Sequence, residues 1–184
     1  MAISCTLNKS ILKTSSCGYA LNSVKDLYLA NRQDVEDITY ATDGAVSAVT
    51  LAETAKWAHI MPATDSASFS DALAVLDGGG AYRTHTVSFR IAGEYTPAMV
   101  AVLDALSLGE YVVVARLASG TFVLLGSEAV GLTANNASNV GAGSATEFSG
   151  IEVEMSGDLT QSAAPLSAEA ITTLEANLYE ALEA

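Results

Sequence analysis

Basic residues, cysteine, aromatics and proline are all scarce in this chain, and each scarcity removes a class of function. Eight Lys and Arg stand against 21 Asp and Glu over 184 residues, a net charge of −13. That surplus repels phosphates and argues against a module that reads DNA or RNA. The imbalance is also uneven. Arg116 is the last basic residue, and nine acids follow it, so the chain is net −4 up to that point and −9 beyond it. Two interpretations fit: a solvated surface that keeps a sticky protein soluble, or a face that a polyanion passes without adhering.

Only two cysteines are present, Cys5 and Cys17. They cannot complete a four-ligand zinc site, and His59 and His85 are not spaced like finger ligands. The start of the chain has no basic segment followed by a sustained apolar one, so synthesis in a reducing cytoplasm is expected, with packed thiols rather than a disulfide. The sequons at Asn8 and Asn136 would matter only on secretion. No run of about 20 apolar residues is available for a membrane helix; Glu110, Arg116 and several glycines interrupt the longest candidate.

Signatures of chemistry are also missing. No Gly-x-Ser-x-Gly elbow occurs, despite many serines. Gly78-Gly79-Gly80 lacks the Gly-Lys-Ser/Thr of a phosphate loop, and neither it nor Gly141-Ala142-Gly143 continues into a dinucleotide fingerprint. Asp34, Glu36 and Asp37 lack the glycine and closing glutamate of a calcium loop. Lone strand histidines such as His59 and His85 read as structural or surface residues. Glu152 and Glu154 share a strand face, yet one Trp and few Tyr leave no aromatic platform for a sugar. The expectation is a protein without catalytic, cofactor-binding or metal-binding residues.

Half the residues are apolar, dominated by small and β-branched types that suit thin sheets. The length fits one β-rich body, 23–160, preceded by an arm at 1–22 and followed by a linker and C-terminal helix at 161–184. Strands are expected at Val24–Ala30, at Val35–Tyr40 and Ala45–Leu51 around the turn signal Asp43-Gly44, and at Lys56–Met61. Residues 62–81 read as a long excursion whose centre, Asp71–Leu76, fits a strand tip or a short helix. Tyr82–Ala92 alternates, with Val87, Phe89 and Ile91 on one side. Thr96 as N-cap, Pro97 at the first position and Gly109 at the end bound a helix whose apolar stripe must pack on the sheet.

Residues 109–128, GEYVVVARLASGTFVLLGSE, form a hairpin that is apolar on both faces. One face is assigned to the 96–108 helix, and the other to a second sheet or a neighbouring subunit. Residues 131–146, rich in Asn, Gly, Ala and Ser, read as loop. Glu147–Gly157 follows as a strand with Ile151, Val153 and Met155 inward and Glu152 and Glu154 outward, forming an acidic surface. Ala163-Ala164-Pro165 reads as a linker. Beyond it Ser167 can cap a helix over 167–183, whose seam of Ile171, Leu174, Leu178 and Leu182 needs a partner surface. Together with Leu73, Val75 and Leu76 of the excursion, these four are the candidate subunit-contact residues.

Several segments resemble small virion structural proteins of tailed bacteriophages, notably those infecting Bacteroidota. They are KDLYLAN, a long loop ending in Gly-Gly, VSFRIAG before a Pro-started helix, GEYVVVARLASGTFVLLG, and an Asn/Gly/Ala-rich loop into GIEVEMSG. The likeness covers about residues 18–165 and follows the tail-tube plan. It implies sheets with one flanking helix that assemble into rings, and neighbour contacts through the 1–20 arm, the 62–81 loop and the C-terminal helix. The terminal helix departs from a minimal tube subunit and leaves a neck, head–tail connector or tail-terminator role open.

The expected fold is mainly antiparallel β, sandwich- or barrel-like, with one packed helix and a C-terminal helix. The expected role is a non-enzymatic virion subunit, in the tail or neck, forming homo-oligomeric stacked rings through which DNA passes. It would contact other tail or neck proteins and use no cofactor, membrane or sequence-specific nucleic acid. Rivals are a capsid decoration protein, a glycan-binding surface β-sandwich and a small hydrolase with an unrecognised site.

Overall fold

Alternating apolar residues need two covers for two faces, and the computed structural model shows where each cover comes from. The structure describes residues 23–93, 96–142 and 147–180. The 1–22 arm, Cys5, Cys17 and Leu182 lie outside the described residues. The chain is mainly antiparallel β with two helices. The first part runs β1 (Val24–Asn31), β2 (Val35–Tyr40), β3 (Val46–Leu51), β4 (Ala58–Ile60), β5 (Ser68–Val75), β6 (Ala81–Ala92) and α1 (Pro97–Leu108). The second runs β7 (Glu110–Leu117), β8 (Phe122–Leu125), β9 (Leu132–Val140), β10 (Gly150–Leu159), β11 (Ala164–Pro165) and α2 (Ala168–Ala176).

Strand β7 is the hub. It pairs with β8 along Val113–Arg116, with β1 along its other edge, and with β9 through Glu110 and Tyr111. One half of the large sheet is therefore β11-β8-β7-β1-β4, and the other is β9-β10-β6-β5. Their inward residues meet in one core. Leu27, Leu29, Val113 and Leu125 come from the first half, and Val87, Phe89, Ile151, Val153 and Met155 from the second. A sandwich-like body results.

The opposite face of the first half is buried as well. Val112, Val114, Phe122 and Leu124 pack with Val35, Ile38 and Val46 of the β2–β3 hairpin, and with Ala170 and Leu174 of α2. Val112, Val113, Val114 and Ala115 are all at 0 % exposure. The second cover of the 109–128 hairpin is thus the chain's own small sheet and terminal helix.

Local signals hold where they are strongest. The β2–β3 turn uses Gly44 at φ 89°, a left-handed geometry that a side chain would resist. In α1 the Thr96 hydroxyl accepts the Met99 amide at 3.3 Å, and Leu106 is buried while Met99, Val102 and Leu103 pack at the core margin. Gly109 closes α1 for a different reason than handedness, since its φ is −82°. A Cβ there would lie 2.3 Å from the Tyr111 hydroxyl, which itself donates to the Ala105 carbonyl.

Three expectations need correction, and one open alternative is decided. Residues 132–140 are strand β9, not loop, because the β10 backbone pairs with them from Thr133 to Val140 whatever their side chains. The centre of the 62–81 excursion, open between strand tip and short helix, is strand: β5 pairs with β6 over eight residues. Ala164–Pro165 is not a free linker: it pairs with β8, and Ala164 is buried. Finally, the terminal helix ends at Ala176 rather than 183. Residue 57 captures the chain there. The Trp57 amide donates to the Asn177 carbonyl, the Tyr179 amide donates to Trp57, and the Asn177 side chain donates to Ala55.

Candidate functional site

The β5–β6 hairpin carries the described features that the fold itself leaves unexplained. β5 ends the sheet order, so one row of its backbone amides and carbonyls has no strand partner among the described residues. Its register with β6 sets Phe69, Asp71, Leu73 and Val75 on the same face as Val87, His85, Arg83 and Ala81. That face begins in the core and then runs past it. Val87 and His85 are buried, whereas Leu73 and Val75 are 62 % and 69 % exposed, and Leu76 in the turn is 55 % exposed. The core-side face of the sheet therefore extends into solvent as an apolar tip, a feature that marks contact surfaces.

Polar groups sit where the hairpin leaves the body. Asp71 accepts from Arg83 Nε and from the Ala163 amide at 3.0 Å, while Arg83 also donates to the Asp71 carbonyl at 3.0 Å. Burial disfavours the Asp71 carboxylate, but these bonds, with His85 and Arg83 nearby, hold it below the ordinary range. His85 Nδ1 accepts the Gly126 amide at 3.2 Å. Tyr40, whose hydroxyl accepts from Gln161 at 2.7 Å, has its phenol pushed up, chiefly by burial.

The other face of β5-β6-β10-β9 is wet. It carries Ser68 and Ser70, Thr84, Thr86, Ser88 and Arg90, and Glu152, Glu154, Ser156 and Asp158, with Asn136 and Ser138 alongside. Paired side chains tie the strands together. Ser68 and Ser88 hydroxyls are 2.8 Å apart, and Thr84 donates to Asp158 at 2.7 Å. Arg90 pairs with Glu152 and lies over the Phe148 ring. These four strands contain no lysine, and Arg90 is the one cation on their outer face. Of the two acids assigned to an acidic surface, Glu154 is exposed and Glu152 is partly screened by its arginine.

A cavity of about 320 Å³ lies between β3 and α2, lined mainly by Val49, Leu51, Trp57, Leu166 and Leu174, with Thr173 and Asn177 as polar rim. It explains part of the terminal seam. Leu174 is 3 % exposed and belongs to the chain's own core, so it is withdrawn as a subunit contact; Ile171 and Leu178 pack against the same cluster. Leu178 sits in a bridge to Trp57 rather than on the helix.

His59 and Arg116 share one acidic partner, Asp26. His59 stacks on Tyr28 at 4.8 Å and contacts Asp26 at 3.1 Å. Arg116, at the rim of the β7–β8 seam, reaches the same Asp26 at 3.3 Å and lies over Phe122. Among the described residues no group of three or more His, Cys, Asp or Glu could hold a metal ion, and no helix is long and apolar enough to cross a membrane. The root cluster of Asp71, Arg83 and His85 was missed as a unit, and its signal was slight: polar residues interrupting an otherwise core-facing alternation. Comparison with family models, curated proteins and solved structures finds no match to this chain.

Proposed function

We propose that this protein is a non-enzymatic structural subunit of a tailed-bacteriophage virion, self-assembling into rings that form a tail tube or related DNA conduit. One observation carries the reading: a single four-stranded unit combines a wet, net-negative, lysine-free face with an exposed apolar edge. A ring built from one repeated asymmetric contact needs adhesive surface at the subunit flank. The free edge of β5, with Leu73, Val75 and Leu76, supplies such a flank. A lumen that passes DNA needs a face that does not bind phosphates, and Glu154 and Asp158 beside a neutralised Arg90 provide one. The sequence resemblance supports the same reading, and it extends to a connector or terminator ring, in which the same two surfaces serve.

Light scattering with negative-stain microscopy tests the proposal. Rings or short tubes are expected at high protein concentration, and Leu73→Ser with Val75→Ser should abolish them. A monodisperse monomer at high concentration, without rings, overturns the reading.

A further inference from the structure

His85 is the one fully buried polar side chain among the described residues, at 1 % exposure. It stands at the root of the β5–β6 hairpin, and the last residues before the apolar tip surround it. Its two ring nitrogens differ. Nδ1 accepts the Gly126 amide at 3.2 Å, which requires that nitrogen to be unprotonated. The proton of the neutral ring therefore sits on Nε2, which is buried without a hydrogen-bond partner and faces Asp71 Oδ1 at 3.5 Å. Asp71 is already engaged by Arg83 and by the Ala163 amide.

We propose that His85 is a proton-sensitive latch joining the projecting β5–β6 hairpin to the Gly126 turn and the 161–163 connector. With the ring neutral the latch is closed. Uptake of one proton from solvent at Nδ1 removes the acceptor of the Gly126 amide. It also leaves an imidazolium in a buried site whose nearest carboxylate is shared with a guanidinium. The Gly126 amide then loses its acceptor, while the attraction of Asp71 for the charged ring offsets its burial only in part. Opening lets water reach the charged ring and frees the hairpin root, from which Leu73 and Val75 project.

The charged groups that face the ring favour this direction. Burial pushes the imidazole below its ordinary range; Asp71 and the Gln161 backbone oppose that shift in part, and Arg83 reinforces it. The native state then binds fewer protons than the open one, so the closed form weakens as pH falls below the ordinary histidine value of about 6.5.

Imidazole nitrogen NMR and backbone amide hydrogen exchange on the full chain test the latch at any state of assembly. The Nε2–H tautomer is expected at pH 8. Protection factors at Gly126 and across β5 should fall by up to about tenfold per pH unit below about pH 6.5, while β7 amides hold. His85→Gln, which keeps a carbonyl for Gly126 without titrating, should flatten that dependence. An Nδ1–H tautomer, a ring titrating at or above about 6.5, or a His85→Gln profile equal to the wild type overturns the proposal. If the variant does not fold, the wild-type tautomer and the Gly126 profile decide it.

Discussion

The β7–β8 and β5–β6 hairpins both present apolar residues on alternating strand positions, yet they end in opposite environments. Val113 and Leu125 of the first face the sandwich core, while Val114 and Leu124 face the β2–β3 hairpin and α2. The second hairpin is covered on one face only, and the cover stops at Asp71 and His85, two residues short of Leu73. Hydrophobicity alone therefore does not separate a core from a contact surface. What separates them is whether the chain returns to cover the face. Among the described residues it does so twice around β7, through β2–β3 and through α2, and not at all around the tip of β5.

The same substitution in both hairpins gives the largest contrast. Val114→Asp buries a carboxylate in an apolar cluster and should abolish folding, seen as loss of cooperative urea unfolding. Val75→Asp should leave stability within about 0.5 kcal/mol of the wild type. Leu124→Ala is the next largest effect, an expected loss of about 2–5 kcal/mol in urea unfolding, because Leu124 is only 2 % exposed.

Acidification sharpens the contrast at the hairpin root. His85 is held below its ordinary value in the folded protein, chiefly by burial, so the stability it contributes is present above about pH 6.5 and is lost as pH falls from there. The Asp71 carboxyl is also held low, because its hydrogen bonds outweigh burial; its contribution is present above about pH 4 and lost below. Stability against pH should thus decline in two stages, with His85→Gln removing the upper one and Asp71→Asn the lower.

Smaller effects probe the covers. Ser167 caps α2 by accepting the Ala170 amide at 3.3 Å, and Ser167→Ala should cost about 1 kcal/mol. Fluorescence of the single tryptophan, Trp57, reports it, since the segment after α2 pairs with that residue. Smallest in stability is the pair Leu73→Ser with Val75→Ser, expected within about 0.5 kcal/mol. Its effect should appear instead as weaker self-association by sedimentation, and unchanged association would remove the tip as a contact.

Legibility followed the range of the interactions involved. α1 was readable from Thr96, Pro97 and Gly109 because capping is settled within a few residues. The β2–β3 turn and the inward set Ile151, Val153 and Met155 were readable for the same reason. β9 was not, since LTANNASNV has no apolar alternation and becomes a strand through backbone pairing with β10. The end of α2 was not either. The seam Ile171, Leu174, Leu178 continues helically in the sequence, but backbone bonds to Trp57, more than a hundred residues away, draw Asn177 and Tyr179 out of the helix. Of the candidate contacts, Leu73, Val75 and Leu76 are exposed and Leu174 is not; apolar character and spacing alone do not distinguish them.

The sequence by itself determined a β-rich chain, its helix starts, its acidity and the two-sided apolar character of residues 109–128. Those properties depend on side-chain chemistry and on neighbours a few residues apart. The tertiary structure alone decided which apolar faces the chain covers for itself, that His85 and Asp71 mark the limit of that cover, and that a polar segment such as β9 completes the wet face. Each of these depends on backbone pairing and packing between distant segments, which no local pattern encodes.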